Sequence, residues 1–131
     1  MKSHLRVAKP VADILRTQRM YCSGLGLSVV GSFENHEGFD GVMLGSKHCD
    51  YHFEFTVCRH HPVVPVSTPE DVVVFYIPDL SEWESRCAAM VTAGFKEVKS
   101  FNPYWDMNGK TFQDLDGYRI VIQNDSWSNS S

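Results

Sequence analysis

The chain has 131 residues, 43% hydrophobic and 21% charged, with a formal net charge of −4 at pH 7. That length suits one globular domain with a real core, and the acidic balance excludes the basic stripe that nucleic-acid binding needs. No apolar run approaches the roughly 20 residues that span a bilayer, and no apolar signal segment follows Met1-Lys2-Ser3-His4. Neither nucleic acid nor membrane is therefore an expected partner, and the expected compartment is the cytoplasm.

A first strand is expected over residues 5–8, stopping before Pro10. Spacing at Ile14, Thr17, Met20 and Tyr21 predicts a helix, with Asp13 as N-cap and Gly24 and Gly26 as its stop. Strands are expected at 28–33, 41–44 and 51–57, the first two joined by the polar turn Glu34-Asn35-His36-Glu37-Gly38. Residues 59–69 hold Pro62, Pro65 and Pro69 and read as a linker.

The same order then returns. Residues 72–77 are β-branched and aromatic, a strand. Ser81-Glu82-Trp83-Glu84 has the form of a capping box, and Leu80, Trp83, Cys87, Met90 and Val91 make a helical stripe closed by Gly94. Strands follow at 96–101, 110–113 and 118–123, with Asp116-Gly117 as the hairpin turn between the last two. The Ser/Asn-rich tail, 125–131, reads as flexible.

The expected organisation is thus one domain, 1–131, of two β-α-β-β-β units at 5–58 and 70–124. A weak internal likeness supports a duplication: Gly26, Leu27 and Ser32-Phe33 sit beside Gly94, Phe95 and Ser100-Phe101. Cys22, Cys49, Cys58 and Cys87 form no C-x-x-C pair, which argues for reduced, small apolar residues and against a zinc knuckle or disulfide framework.

Alternate strand residues face opposite ways. Tyr51, Phe53, Phe55 and Val57 make an apolar face that must pack under a helix, while His52, Glu54 and Thr56 make a polar one, with Asp50 at its mouth. Such a sheet can line a pocket, or simply face water.

The chain resembles the vicinal-oxygen-chelate superfamily of glyoxalase I, extradiol dioxygenases and fosfomycin- and bleomycin-resistance proteins. Val7-Ala8-Lys9-Pro10-Val11-Ala12-Asp13 looks like that family's opening strand, and Met20-Tyr21 with Gly24-Leu25-Gly26-Leu27 like its helix end. Phe53-Glu54-Phe55 looks like its hydrophobic-Glu-hydrophobic strand, and the segment from Phe112 through Asp116-Gly117 to Ile122 like its "F-x-D-P-D-G-N-x-I-E-L". Asn102-Pro103-Tyr104-Trp105 resembles a glyoxalase-like bacterial subgroup of uncharacterised activity. The likeness implies an α+β fold of paired βαβββ modules whose mixed sheets curve into a cup.

In metal-dependent members, the first and last strands of each module supply the ligands. Carried over, the first-strand position of unit one matches Arg6, which is no ligand; His4 fits only with a shifted alignment. Glu54 suits the last strand of unit one. In unit two the positions fall at Val72 or Val74 and at Val121, where the family's metal enzymes carry Glu. No cofactor is therefore expected; a divalent metal would need the alternative set His4, His52 and Glu54. His36 and His48 in turns and His60-His61 in the linker read as solvated.

Three functional readings stand beside each other. One is a metal-free pocket for a small anionic or aromatic ligand, with Arg6 and Arg119 as anion partners. Arg119 shares a strand face with Val121 and Gln123, and Tyr104 and Trp105 could form flat walls. Ordinary core packing of those aromatics, and a plain Arg6–Glu54 ion pair, are the competing explanations. The second is an enzyme with Glu54 as general base and His52 as proton shuttle: a lactoylglutathione-lyase-like lyase or isomerase, or a dioxygenase with a non-standard metal set. The third is a vestigial pocket on an interaction module that homodimerises, as this superfamily often does.

Overall fold

In the computed structural model, which describes residues 1–130, the chain divides into two compact units, Met1–Pro65 and one from Val66 onward. Each is a βαβββ module. In the first, β1 (Leu5–Pro10) leads to α1 (Ile14–Leu25), then to β2 (Ser28–His36), β3 (Phe39–Gly45) and β4 (Tyr51–Cys58). The sheet order is β1-β4-β3-β2, with β1 parallel to β4 and the other pairs antiparallel. β1 runs past the expected stop to include Pro10. It is an edge strand, where a missing N–H breaks no ladder bond.

Asp13 caps α1 as expected, its side chain accepting from the Arg16 N–H at 3.1 Å. Gly24 does not stop the helix; it lies buried within it, and Gly26, at φ +69°, makes the left-handed C-cap. The β2–β3 turn is tighter than the polar segment suggested. β2 continues to His36, and Glu37 and Gly38, at φ +52° and +88°, form a two-residue turn whose twist matches the strands. Tyr21 on α1 sets its ring 4.7 Å from Phe55 and 5.8 Å from Phe53. With Val42 and Leu44 these make the core on the helix side of the sheet.

The second module runs β5 (Val72–Tyr76), α2 (Leu80–Thr92), β6 (Lys96–Val98), α3 (Tyr104–Met107), β7 (Gly109–Gln113) and β8 (Arg119–Gln123). Its sheet order, β5-β8-β7-β6, repeats that of the first. The cap of α2 is Asp79, accepting from the Glu82 N–H at 2.9 Å, and not Ser81. The aspartate begins its own D-x-x-E box two residues earlier, which the apolar Leu80 obscures. Gly94 closes α2 as expected, at φ +105°, with Phe95 N–H to Met90 O and Gly94 N–H to Val91 O both at 3.1 Å. β6 ends at Val98, short of the expected 101. The Ser100 N–H turns to the Asp106 carboxylate at 3.2 Å, so the chain leaves the sheet and winds into α3, an element without an apolar period of its own.

The core of this module gathers Cys87, Met90, Phe95, Phe112, Tyr118, Ile120 and Ile122. Residues 59–71 form no helix or strand. Ser131, at the end of the tail expected to be flexible, lies outside the described residues. All four cysteines are free thiols. No helix among the described residues is long and apolar enough to cross a membrane.

Candidate functional site

The face of the first sheet turned away from α1 carries a polar cluster. Register places Arg6 opposite His52 and Ala8 opposite Glu54 on β1 and β4. Arg6 Nε donates to His52 Nε2 at 2.8 Å, and Arg6 Nη1 to Glu54 Oε2 at 3.0 Å. His52 Nδ1 lies 2.6 Å from His4 Nε2.

Donor chemistry fixes the protons. A guanidinium can only donate, so His52 Nε2 accepts and its proton stands on Nδ1, from which it goes to His4 Nε2. Both ring nitrogens of His52 are thereby engaged, and the imidazole is neutral. Its pKa is held below the usual 6.5, first by burial, then by the Arg6 cation and by His4 when that ring is protonated, with Glu54 pulling the other way. Lowering the folded-state pKa means that the unfolded chain binds the proton more tightly. This contribution to stability is therefore full above about pH 6.5 and is lost as pH falls through the folded value. Histidine ring NMR of the protein should show the Nδ1–H tautomer for His52 and a titration midpoint below 6.5. A midpoint above it, or the other tautomer, would contradict the network.

Glu54 is 15% exposed and Arg6 49%. The Arg6 Nη2 group has no partner among the described residues, so the guanidinium keeps donors for something else. Beside the cluster, β3 contributes Gly45 opposite His52 and Met43 opposite Glu54, and no charge.

The alternative metal set is bonded to itself and to Arg6: both ring nitrogens of His52, His4 Nε2 and Glu54 Oε2 are engaged, so a metal ion would have to displace these bonds. Among the described residues no three His, Cys, Asp or Glu side chains are grouped to hold one. In the second module Val74 pairs with Val121, and neither can coordinate.

The remaining candidates lie in that second module. Arg119 is tied through Nε to Gln113 Oε1 at 3.1 Å. Val121 and Gln123 continue its strand face but are buried, and Gln123 Oε1 and the neighbouring Thr111 Oγ1 are buried without partners. Tyr104 and Trp105 sit on α3, edge to face at 5.0 Å, with Tyr104 58% exposed. Their place on a separate short helix takes them out of the hairpin core.

Family models describe the two halves separately. The YycE-like N-terminal domain matches residues 5–56, and the YycE-like C-terminal domain matches residues 70–124. The chain belongs to the YycE-like family. The uncharacterised protein YycE of Bacillus subtilis is 40% identical to it over 122 residues, 93% of this chain and 88% of that protein. A crystal structure of a YycE protein of unknown function from Bacillus subtilis, 38% identical, superposes with a TM-score of 0.89 over 98% of this chain and 94% of that one. A trypanothione-dependent glyoxalase I from Leishmania major, 19% identical, superposes at 0.71 over 95% and 87%. The YycE-like fold is accordingly that of the glyoxalase and fosfomycin-resistance proteins.

The Arg6–Glu54 pair is one of the alternatives that the sequence of this YycE-like chain left open, and the structure forms it. His4 and His52, grouped from the sequence only as possible ligands of one metal, are bonded directly to each other instead, the parallel register bringing His4 alongside β4.

Proposed function

We propose that this YycE-like protein binds a small anionic molecule on the polar face of its first module, without a metal. The observation that carries the reading is Arg6. It bridges Glu54 and His52 and keeps Nη2 unpartnered among the described residues, at a position that the likeness to the superfamily would match to a first-strand metal ligand. The charge-assisted N–H donors of a guanidinium suit a carboxylate or phosphate oxygen. Neutral His52 adds no positive charge at neutral pH and Glu54 is already paired with Arg6 Nη1, so the open Nη2 donors of Arg6 are what the site offers an anion.

Thermal unfolding of metal-stripped protein tests this directly, with sulfate, phosphate and a panel of carboxylates in one arm and Ni²⁺, Zn²⁺, Mn²⁺ and Fe²⁺ in the other. An anion at about 100 times Kd should stabilise by roughly 2.7 kcal/mol, several degrees for a chain of this size. A shift with a metal that disappears in Glu54→Ala, and none with anions, would overturn the proposal in favour of metal-assisted lyase or dioxygenase chemistry.

A further inference from the structure

The same face of the first sheet continues from the charged cluster onto β3 and β2, where its relief falls away. On β3 the residues facing this side are Gly41, Met43 and Gly45; across the β2 register stand Phe33, Gly31 and Ser28. A Cβ at position 41 would collide with the tip of the Phe33 ring, which lies across the strand in its place. A Cβ at position 31 would come 2.7 Å from Met43 Cε, so the thioether lies down over that glycine in the opposite direction. At Gly45 a Cβ would stand 3.0 Å from that of His52, which leaves the backbone beside the cluster bare. Two large apolar side chains thus lie along the sheet instead of standing on it, each half-buried. None of these six positions is ionisable.

We infer that the ligand anchored by Arg6 has a flat aromatic body, an aryl carboxylate or similar aryl acid, which rests on the low shelf formed by Phe33 and Met43. This deepens the function proposed above and rests on it. The geometry matches that ligand class in two ways. An uncharged shelf next to one unpartnered guanidinium nitrogen, Arg6 Nη2, suits a molecule with a single acid at one end. Adjacent strands are about 4.8 Å apart, so a fused ring pair on Met43 brings its acid within reach of the long Arg6 side chain. An aromatic ring and a thioether both gain from contact with a π-face, which a saturated body cannot offer.

The experiment compares 2-naphthoate with decahydronaphthalene-2-carboxylate, which carries the same charge on a puckered, saturated body. Affinities are measured by calorimetry on the wild type, Met43→Gln and Arg6→Ala, with ¹³C-methyl methionine spectra of the wild type alongside. The expected result is binding of the aromatic acid about tenfold tighter than the saturated one. Naphthoate alone should move the Met43 ε-methyl by ring current, the preference should vanish in Met43→Gln, and both acids should be lost in Arg6→Ala. Equal affinities in the wild type, or an unmoved Met43 methyl with naphthoate bound, would overturn the aromatic shelf while an Arg6 dependence left the anion site standing. Binding of neither acid, or binding indifferent to Arg6, would remove both readings. The methyl spectrum needs no variant, so a misfolded Met43→Gln would not spare the inference.

Discussion

Phe55→Ala is expected to lower stability by about 3–5 kcal/mol, the cost of emptying a large aromatic site in a packed core. Phe55 is fully buried, lies parallel to Phe53 at a centroid distance of 5.9 Å, and meets Tyr21 from α1 at 4.7 Å. Its strand is paired on both sides, to β1 and to β3, so the sheet cannot slide into the vacated space. Against a total stability of about 5–15 kcal/mol for a domain of ordinary size, that loss leaves little margin. Urea unfolding checks it, with Thr56→Ala as control, since Thr56 points to the opposite face and should stay near wild type. An unchanged midpoint for Phe55→Ala would mean that α1 does not seat on β4.

That alternation is also why so much of the fold was legible. Tyr51, Phe53 and Phe55 against His52, Glu54 and Thr56 is a period of two strong enough to fix the strand and both its faces. The stripe through Trp83, Cys87 and Met90 did the same for α2. Where patterns were weak, the structure departed from the reading. α3 has no apolar repeat; it exists because Asn102 Oδ1 accepts from the Tyr104 N–H at 3.0 Å and Asp106 draws in Ser100. Side-chain-to-backbone bonds of that kind depend on tertiary placement and leave little trace in a periodicity. The cap of α2 went to Asp79 because two overlapping boxes compete there and the carboxylate is as good an acceptor as the serine hydroxyl.

The site was legible only along its strands. Parity put His52 and Glu54 on a polar face and the family likeness put Arg6 beside them, but the partners of each depend on register, which β1 and β4 do not reveal separately. The shelf had a visible signal that a strand-by-strand reading passes over. Gly41, Met43 and Gly45 alternate with Asp40, Val42 and Leu44 on β3, and glycines recurring on one face of a strand mark places where something else lies close. What lay close could be found only by pairing β3 with β2.

Arg6→Ala should separate binding from folding, and it is the second change with a large expected effect. The Arg6 side chain is 49% exposed, so its ion pair with Glu54 is screened by water and its loss should cost stability only about 1 kcal/mol or less. Ligand affinity should respond far more. A charge-assisted bond to an anion is worth about 1.5–3 kcal/mol, so the carboxylate that shifts the wild type most should bind roughly 10–150-fold more weakly. Arg6→Lys should fall between, since it restores the charge but not the guanidinium that ties His52 and Glu54 while presenting Nη2. The histidine provides an internal witness: with the Arg6 cation gone, one of the causes holding the His52 pKa down is removed, and its NMR midpoint should rise. A variant that folds, shows the raised midpoint and keeps wild-type affinity would place the anion elsewhere and leave Arg6 as a strut for Glu54. A lost affinity together with the raised midpoint would tie the ligand and the imidazole to the same guanidinium.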